Sequence, residues 1–341
     1  MNRVSDNREL LRGRGGFTLI EIMIALVILS IALAAVFSTF NSQHKSYIVQ
    51  NGVAQMQENV RGGMLYIEDE LRNAASIPSL NMSLPPELFG GSVPISLVSG
   101  LGVADGDGNG PDRIFVISLQ AGQTALASEA GVSVGVSDSL DVTSVEGWQA
   151  GDIAIVYNDT IASFVFITGV QESSTRLTHN SGSSVSGIFD GFNNNKLGVS
   201  YGVGTSVARI RYSGYSIDNS APAHPRLVRT YLDNNANFTS DIVADDIEDM
   251  QMLLGIYDNT TGAITEKDGS YFTGANASKL ASVRQIRIQL VGRMASPDPA
   301  WTEGPYYNAR YNRIGGIAGF DHHRRRPIEQ VIYLRNTGVR E

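Results

Sequence analysis

Between Phe17 and Phe40 every residue is apolar or small apart from Glu21, with Thr18, Ser30, Ser38 and Thr39 adding only hydroxyls. Such a run, wound as a helix, is roughly 36 Å long and can cross a bilayer core of about 30 Å. The chain is therefore expected to be anchored in a membrane. A lone carboxylate in the first turns of a membrane helix is costly in lipid, so Glu21 marks a functional position that needs a partner. Arg3, Arg8, Arg12 and Arg14 precede the run. Basic residues there favour retention of that end in the cytoplasm, which puts the C-terminal body outside. A secretory signal also starts basic, and Ala32-Leu33-Ala34 has the form of a small-x-small cleavage site. A signal's apolar segment, however, usually covers only about 7–15 residues.

Charge and cysteine content narrow the function classes. The 341 residues carry a net charge of −8. The first sixteen hold four arginines against Asp6 and Glu9, or +2, so a chain without them stands at −10. That balance argues against non-specific nucleic-acid binding. With no cysteine there is no disulfide framework, zinc–thiolate site or thiol chemistry. The 36 glycines, with clusters of Asn and Ser, indicate many turns and hence a β-rich body.

The stretch Arg14-Gly15-Gly16-Phe17-Thr18-Leu19-Ile20-Glu21, followed by the apolar span, resembles the processing site of type IV prepilins and pseudopilins. The resemblance implies a leader of residues 1–16, cleavage by a prepilin peptidase between Gly16 and Phe17, and N-methylation of Phe17. A free α-amine has a reference pKa of about 7.7–8.0 and is mostly cationic at neutral pH. The amine of Phe17 and the carboxylate of Glu21 can then neutralise each other in a low dielectric, within a subunit or between neighbours. Glu21 is on this reading the assembly residue, a device that sets the register between packed helices.

Beyond Phe40 the polarity changes while the helical period continues. Val53, Met56, Val60, Met64, Ile67 and Leu71 recur at spacings of three and four, one face of a helix. Glu58, Arg61, Glu68, Asp69, Glu70 and Arg72 are expected mainly on other faces. Residues 17–40 read as the membrane-spanning half and 41–76 as the amphipathic half of one helix about 88 Å long. Gly62-Gly63 are expected to let a sheet pack closely, and Pro78, Pro85 and Pro86 to end the helix. Gln55-Met56-Gln57-Glu58-Asn59-Val60-Arg61 and Ile67-Glu68-Asp69-Glu70-Leu71-Arg72-Asn73-Ala74 resemble the helix of PilW-type minor pilins, and related J-type pseudopilins of type II secretion share much of the pattern.

The remainder, 77–341, reads as an antiparallel β-rich head, giving an α+β fold. Short strands separated by turns over 120–215 suggest an inserted β subdomain. Asp241 to Leu254 reads as a short amphipathic helix or a helix–strand junction, and Val283 to Val291 and Ile328 to Leu334 read as strands. Ile247-Glu248-Asp249-Met250-Gln251-Met252 again resembles PilW-type proteins. The segments 179–198 and 295–326 read as exposed loops.

The most site-like stretch of the head is Asp105-Gly106-Asp107-Gly108-Asn109-Gly110-Pro111-Asp112. It opens like an EF-hand loop, yet the twelfth position, which needs a bidentate Glu, is Val116, and a strand follows. An EF-hand is rejected. An Asp/Gly turn feeding a strand is the preferred reading, with Asp105, Asp107, Asn109 and Asp112 as the candidates for a looser calcium loop. No other cofactor is implied. The histidines at 44, 179, 224, 322 and 323 lack metal-ligand spacing, and His322-His323-Arg324-Arg325-Arg326 reads as a solvated basic run. No catalytic constellation stands out.

The resemblance thus implies a minor pilin, not an enzyme, that primes and packs into a type IV pilus or its tip complex. Its partners would be the prepilin peptidase, other minor pilins, the major pilin and the inner-membrane assembly platform. It would be a single-pass bacterial inner-membrane protein with its head outside the cytoplasm, then part of the pilus at the cell surface. The alternatives are a J-type pseudopilin and a tip-displayed adhesin or binding module, for which the loops 179–198 and 295–326 are the strongest feature.

Overall fold

In the computed structural model the residues described are 16–74, 95–96, 100–106, 110–120, 123–130, 139–158, 161–180, 195–233, 238–272, 274–304, 306–308, 313–315 and 321–334. They fall into two compact units, Met1–Gly52 and Val53–Glu341. One helix, α1 (Leu19–Arg72), contributes to both. In the first unit it is built from Leu, Ile, Ala, Met and Val without proline, all compatible with a helix. Ser30 Oγ donates to the carbonyls of Leu26 and Val27, and Thr39 Oγ1 to that of Ala35, so these hydroxyls need no outside partner. The side chains from Leu19 to Ile48 are exposed. By length and composition this helix can cross a membrane.

Among the described residues, the second unit is built on the amphipathic part of α1 and eighteen strands. The strands are β1 (Ile95–Ser96), β2 (Leu101–Ala104), β3 (Arg113–Leu119), β4 (Thr124–Ala125), β5 (Ser139–Asp141), β6 (Ile153–Tyr157), β7 (Ala162–Phe166), β8 (Gly169–Gln171) and β9 (Arg176–Thr178). They continue as β10 (Ser206–Asp218), β11 (Arg226–Leu232), β12 (Phe238–Asp245), β13 (Ile247–Tyr257), β14 (Ile264–Asp268), β15 (Val283–Arg293), β16 (Tyr306–Asn308), β17 (Arg313–Gly315) and β18 (Arg325–Tyr333). A nine-stranded sheet follows the order β1-β2-β3-β10-β11-β12, with β4 and β6 also on β10 and β7 on β6. A second sheet follows β14-β13-β15-β18. Every pairing in both is antiparallel.

Met56, Val60, Met64, Ile67 and Leu71 are buried, as their spacing predicts. From Val60 onward this face shares one core with Leu101, Ile114, Val116, Tyr215 and Leu227 of the first sheet and Met250, Met252, Leu254, Ile286, Ile288 and Leu290 of the second. Close approach is achieved by glycine on both sides. A Cβ on Gly63 would lie 2.9 Å from Leu227 Cδ2 and 3.4 Å from Ala244 Cβ, whereas Gly62 is exposed and faces open space. The expectation of close packing therefore holds for Gly63 and not for Gly62. On β15, a Cβ on Gly292 would meet Val60 Cγ2 at 2.3 Å. Val60 is fully buried and β-branched, so it has little room to yield. Gly292→Ala is expected to cost about 1–3 kcal/mol, an overpacking penalty, measured as a lowered denaturant midpoint of the full chain in detergent.

Two helix acids depart from the expected outward placement. Glu68 is buried and forms an ion pair with Arg72. Glu70 lies 3.0 Å from Arg229 Nη2 of β11, whose Nε and Nη2 also donate to Ser213 Oγ of β10. This polar tie sets the helix against the sheet.

A second core joins Leu126, Leu140, Val142, Trp148, Ala154, Val156, Val165, Leu177, Tyr201 and Val207. It lies within the stretch read as an insertion, but β6 and β7 extend the main sheet through β10 instead of forming a separate body. The three-stranded sheet β5-β9-β8 belongs to the same stretch.

The segment read as a helix or helix–strand junction is a correction: residues 241–254 fall on two strands joined by Asp246. Asp246 adopts φ 58°, a left-handed conformation that turns the chain from one sheet into the other. Its carboxylate lies 2.9 Å from His224 Nδ1. β13 is buried along most of its length on both faces. Strand alternation disappears in that situation and apolar spacing alone imitates a helix.

Candidate functional site

The first candidate site is the start of α1. Thr18 stands just ahead of the helix and Glu21 lies in its first turn. Glu21 Oε2 accepts from the Thr18 backbone N–H at 2.9 Å and from Thr18 Oγ1 at 3.0 Å. Thr18 Oγ1 in turn accepts from the Glu21 N–H at 3.3 Å. This is a reciprocal capping box, which satisfies amides that the first turn leaves without partners. It also holds the Glu21 carboxylate at the residue that follows Phe17. Phe17 is 84% exposed, and a Cβ on Gly16 would meet nothing within 4 Å. Among the described residues nothing covers the Gly16–Phe17 bond. The role of Thr18 was missed in the sequence, although Thr-x-x-Glu ahead of an apolar run is itself the capping signal.

The second candidate is the turn between β2 and β3. Asp107 and Asn109 lie outside the described residues. Asp112 is buried, 3% exposed, and its carboxylate accepts from the backbone N–H of Met252 at 2.7 Å and of Gly106 at 3.2 Å. Its own N–H donates to the Met250 carbonyl at 2.8 Å. Gln251 Nε2 donates to the Gly110 carbonyl at 3.1 Å. The turn thereby binds a stretch of β13 that β14 does not reach, and joins the two sheets. Burial pushes the Asp112 carboxyl up to about 8, against the lowering by the Gly106 and Met252 amides and helped by the charges of Asp105 and Asp268. Burial and then the neighbouring Asp268 raise Asp105 as well. Among the described residues no group of three or more His, Asp or Glu has the arrangement of a metal site. The bonds among the described residues tie this turn to β13.

The basic run at 322–326 requires a correction. Arg325 starts β18 with its side chain 2% exposed, held by Glu248 at 2.7 Å and by both Asp321 oxygens at 2.6 and 2.7 Å. Arg324 pairs with Asp298 at 2.7 Å and lies 4.5 Å over the Trp301 ring. His323 Nδ1 donates to the Met294 carbonyl at 2.8 Å. Arg324 and Arg325 thus form a polar corner and not a solvated loop, neutralised by the adjacent Asp321 and by Asp298 and Glu248 from farther along the chain, while His322 and Arg326 stay exposed. Of the other proposed loop, 181–194 fall outside the described residues. His179 and Asn195, which flank that gap, are buried and joined from Nδ1 to the Asn195 carbonyl at 2.9 Å.

Residues 11–37 match the family model for the prokaryotic N-terminal methylation motif. Residues 214–336 match the model described as Type IV Pilus-assembly protein W. No curated protein and no solved structure matches.

Proposed function

We propose that this chain, a type IV minor pilin of PilW type, is cut between Gly16 and Phe17, methylated on the new amine, and packed by its helix into a complex that primes the pilus. The observation that carries this is the first unit: an apolar helix surface exposed from Leu19 to Phe40, opening on an accessible Gly16–Phe17 bond and a capped Glu21. Such a surface is stable only in lipid or against other apolar helices. Within a bundle of like helices the Glu21 carboxylate needs a cation, and the α-amine of Phe17 is the one that cleavage creates. Thr18 then keeps the carboxylate pointed back toward that amine.

The partners on this reading are the prepilin peptidase, which meets the leader, then other minor pilins, the major pilin and the inner-membrane platform, which meet the helix. The arginines ahead of the span support a head outside the cytoplasm. The pilin-type regions point to a structural protein whose work is packing rather than catalysis.

Gly16→Ala is expected to leave the leader attached, visible as a heavier chain on a denaturing gel. Glu21→Ala is expected to be processed but absent from sheared filaments. Mass spectrometry of those filaments should find the wild-type chain beginning at N-methylated Phe17. Normal maturation of Gly16→Ala, or a different N-terminal residue, overturns the reading.

A further inference from the structure

Beside the last turns of α1, the helix-facing side of the first sheet opens into a groove. Arg229 of β11 points to that side, since it bonds Glu70 of the helix at 3.0 Å. Side chains alternate along a strand, so Tyr231 of β11 shares this side, as does Asp241 of β12, directly opposite Arg229. On β10, Ser213 Oγ accepts from Arg229, which places Arg211 and Arg209 there too. Two adjoining concavities of about 770 and 480 Å³ result, with Gln120, Arg209 and Arg211 lining both. Each has the size of a small-ligand site. The first is bordered by the turn at Gly151-Asp152, and the second by Tyr66, Asp69, Glu70 and Asn73 of the helix end.

Several of these side chains are held in place. Arg229 donates to Ser213 and lies 5.9 Å from the centre of the Tyr66 ring and 5.0 Å from that of Tyr231. Arg209 Nη1 donates to the Gly147 carbonyl at 2.6 Å and lies 3.4 Å from Asp152 Oδ2. Arg211 is exposed and has no ion pair among the described residues. Asp69 and Asp241 are exposed as well, and Tyr66 is 46% exposed.

The lining selects the occupant by its mixture of charges. Asp152 stands beside Arg209, Glu70 beside Arg229, and Asp241 opposite Arg229, while Asp69 lines the same concavity as Arg211. With the signs interleaved, a polyanion meets carboxylates and a polycation meets guanidiniums. An apolar ligand would strip water from these groups without replacing their hydrogen bonds. The core of a protein interface is depleted of charge, and this floor is not. A neutral sugar meets the requirement. Each of its hydroxyls both donates and accepts, so it can serve a guanidinium and a carboxylate together. Its C–H face can pack on a tyrosine ring, whose own hydroxyl stays hydrogen-bonded at the rim.

We propose that this groove binds a short neutral oligosaccharide. Arg211 and Asp241 are the donor and acceptor that orient its hydroxyls, and Tyr66 and Tyr231 offer the ring surfaces against which sugar units lie. The two concavities meet at Gln120, Arg209 and Arg211, which suits a chain of several units better than a single one. This goes beyond the proposed function: sugar binding by the head requires neither processing of the leader nor assembly.

The test uses the full chain in a polyoxyethylene detergent, which carries no sugar, with empty micelles as blank. The probes are fluorescent tetrasaccharides of glucose, mannose, galactose and N-acetylglucosamine. Tetragalacturonate is the anionic counterpart and fully deacetylated chitotetraose the cationic one. At least one neutral probe is expected to bind, with an affinity that salt leaves unchanged. Both charged counterparts should bind at least about tenfold more weakly. Arg211→Ala and Asp241→Ala should each weaken the neutral probe about tenfold, the loss of one hydrogen bond to a charged group. Arg61→Ala, at an exposed position of α1 outside the groove, should not. Gly16→Ala, which probes processing, should also leave sugar binding intact. Residues 211 and 241 are exposed, and urea midpoints equal to wild type identify the loss as one of binding. Failure of every neutral probe, equal or tighter binding of a charged counterpart, or unchanged affinity in both groove variants overturns the site. Self-association of the chain that both substitutions abolish overturns it in favour of a second copy.

Discussion

Replacing Arg325 by methionine is expected to cost about 3–5 kcal/mol of stability at pH 7, the loss that follows when one member of a buried ionic group is removed. The side chain is 2% exposed and serves four acceptor oxygens: Glu248 Oε2, both oxygens of Asp321, and the His323 carbonyl at 3.2 Å. Methionine fills similar volume but neutralises nothing, leaving Glu248 and Asp321 nearly buried with their charges. Burial alone would lower the Arg325 pKa, yet its bonds to Asp321 and Glu248 carry it above the ordinary arginine value. The same contact with Arg325 lowers Asp321 below the usual carboxylate range. A lowered carboxylate contributes stability above its unfolded pKa, and that contribution is lost as pH falls through the folded value. The penalty of Arg325→Met should therefore be large at pH 7 and shrink toward pH 4, where the orphaned carboxyls can protonate. Adding Glu248→Gln and Asp321→Asn should recover part of it. Urea unfolding of the full chain in detergent reads all three points, with Trp301 as a reporter because Arg324 lies over its ring. An equal loss at pH 4 and pH 7 would show that packing, not charge, dominates.

That corner also shows why some of the molecule was legible in the sequence and some was not. Met56, Val60, Met64, Ile67 and Leu71 declare a helix face because its partners repeat every turn, and the burial of each follows from local spacing. Phe17 to Phe40, with Glu21, declares an anchor by length and by one misplaced charge. Thr18 was also readable, as the first residue of a capping motif, but it was masked by the stronger signal of the apolar run. Arg325 could not be read in the same way. Its partners lie 4 and 77 residues away, and a run of two histidines and three arginines looks the same in sequence whether neutralised or solvated. The error at residues 241–254 has a different cause. Asp246 interrupts two strands with one left-handed residue, and β13 is buried on both faces, so neither a turn signature nor alternation was present. The inward-facing Glu70 was likewise invisible because Arg229, which holds it, belongs to β11.

The Asp105–Asp112 turn supplies the other large effect, a dependence on pH of opposite sign to that of Asp321. Asp112 is raised to about 8 from an ordinary value of 3.8, mainly by burial. The folded chain then holds a proton that the unfolded chain has already lost. Stability from this group is fully present below about pH 4, falls as pH rises, and levels off above about pH 8. For one proton the folding equilibrium shifts about tenfold per pH unit across that window. The groups around the carboxyl agree with the direction. Asp105 at the end of β2 and Asp268 at the end of β14 are acidic, while the Gly106 and Met252 amides moderate the shift without cancelling it. Asp112→Asn keeps the shape and cannot ionise. It should lose about 1 kcal/mol at pH 5, since the amide nitrogen cannot accept one of the two backbone bonds. At pH 9 it should be more stable than wild type, because no charge is then buried between the sheets. The two stability curves must therefore cross between those values. Since Asp112 closes the stretch of β13 beyond the reach of β14, amide exchange at Met252 should follow the same crossing, faster in wild type than in the variant at pH 9 after correction for intrinsic rates. Parallel curves, with Asp112→Asn below wild type at every pH, would mean that the carboxylate is satisfied by its two amides and that the turn holds the sheets together as an ion.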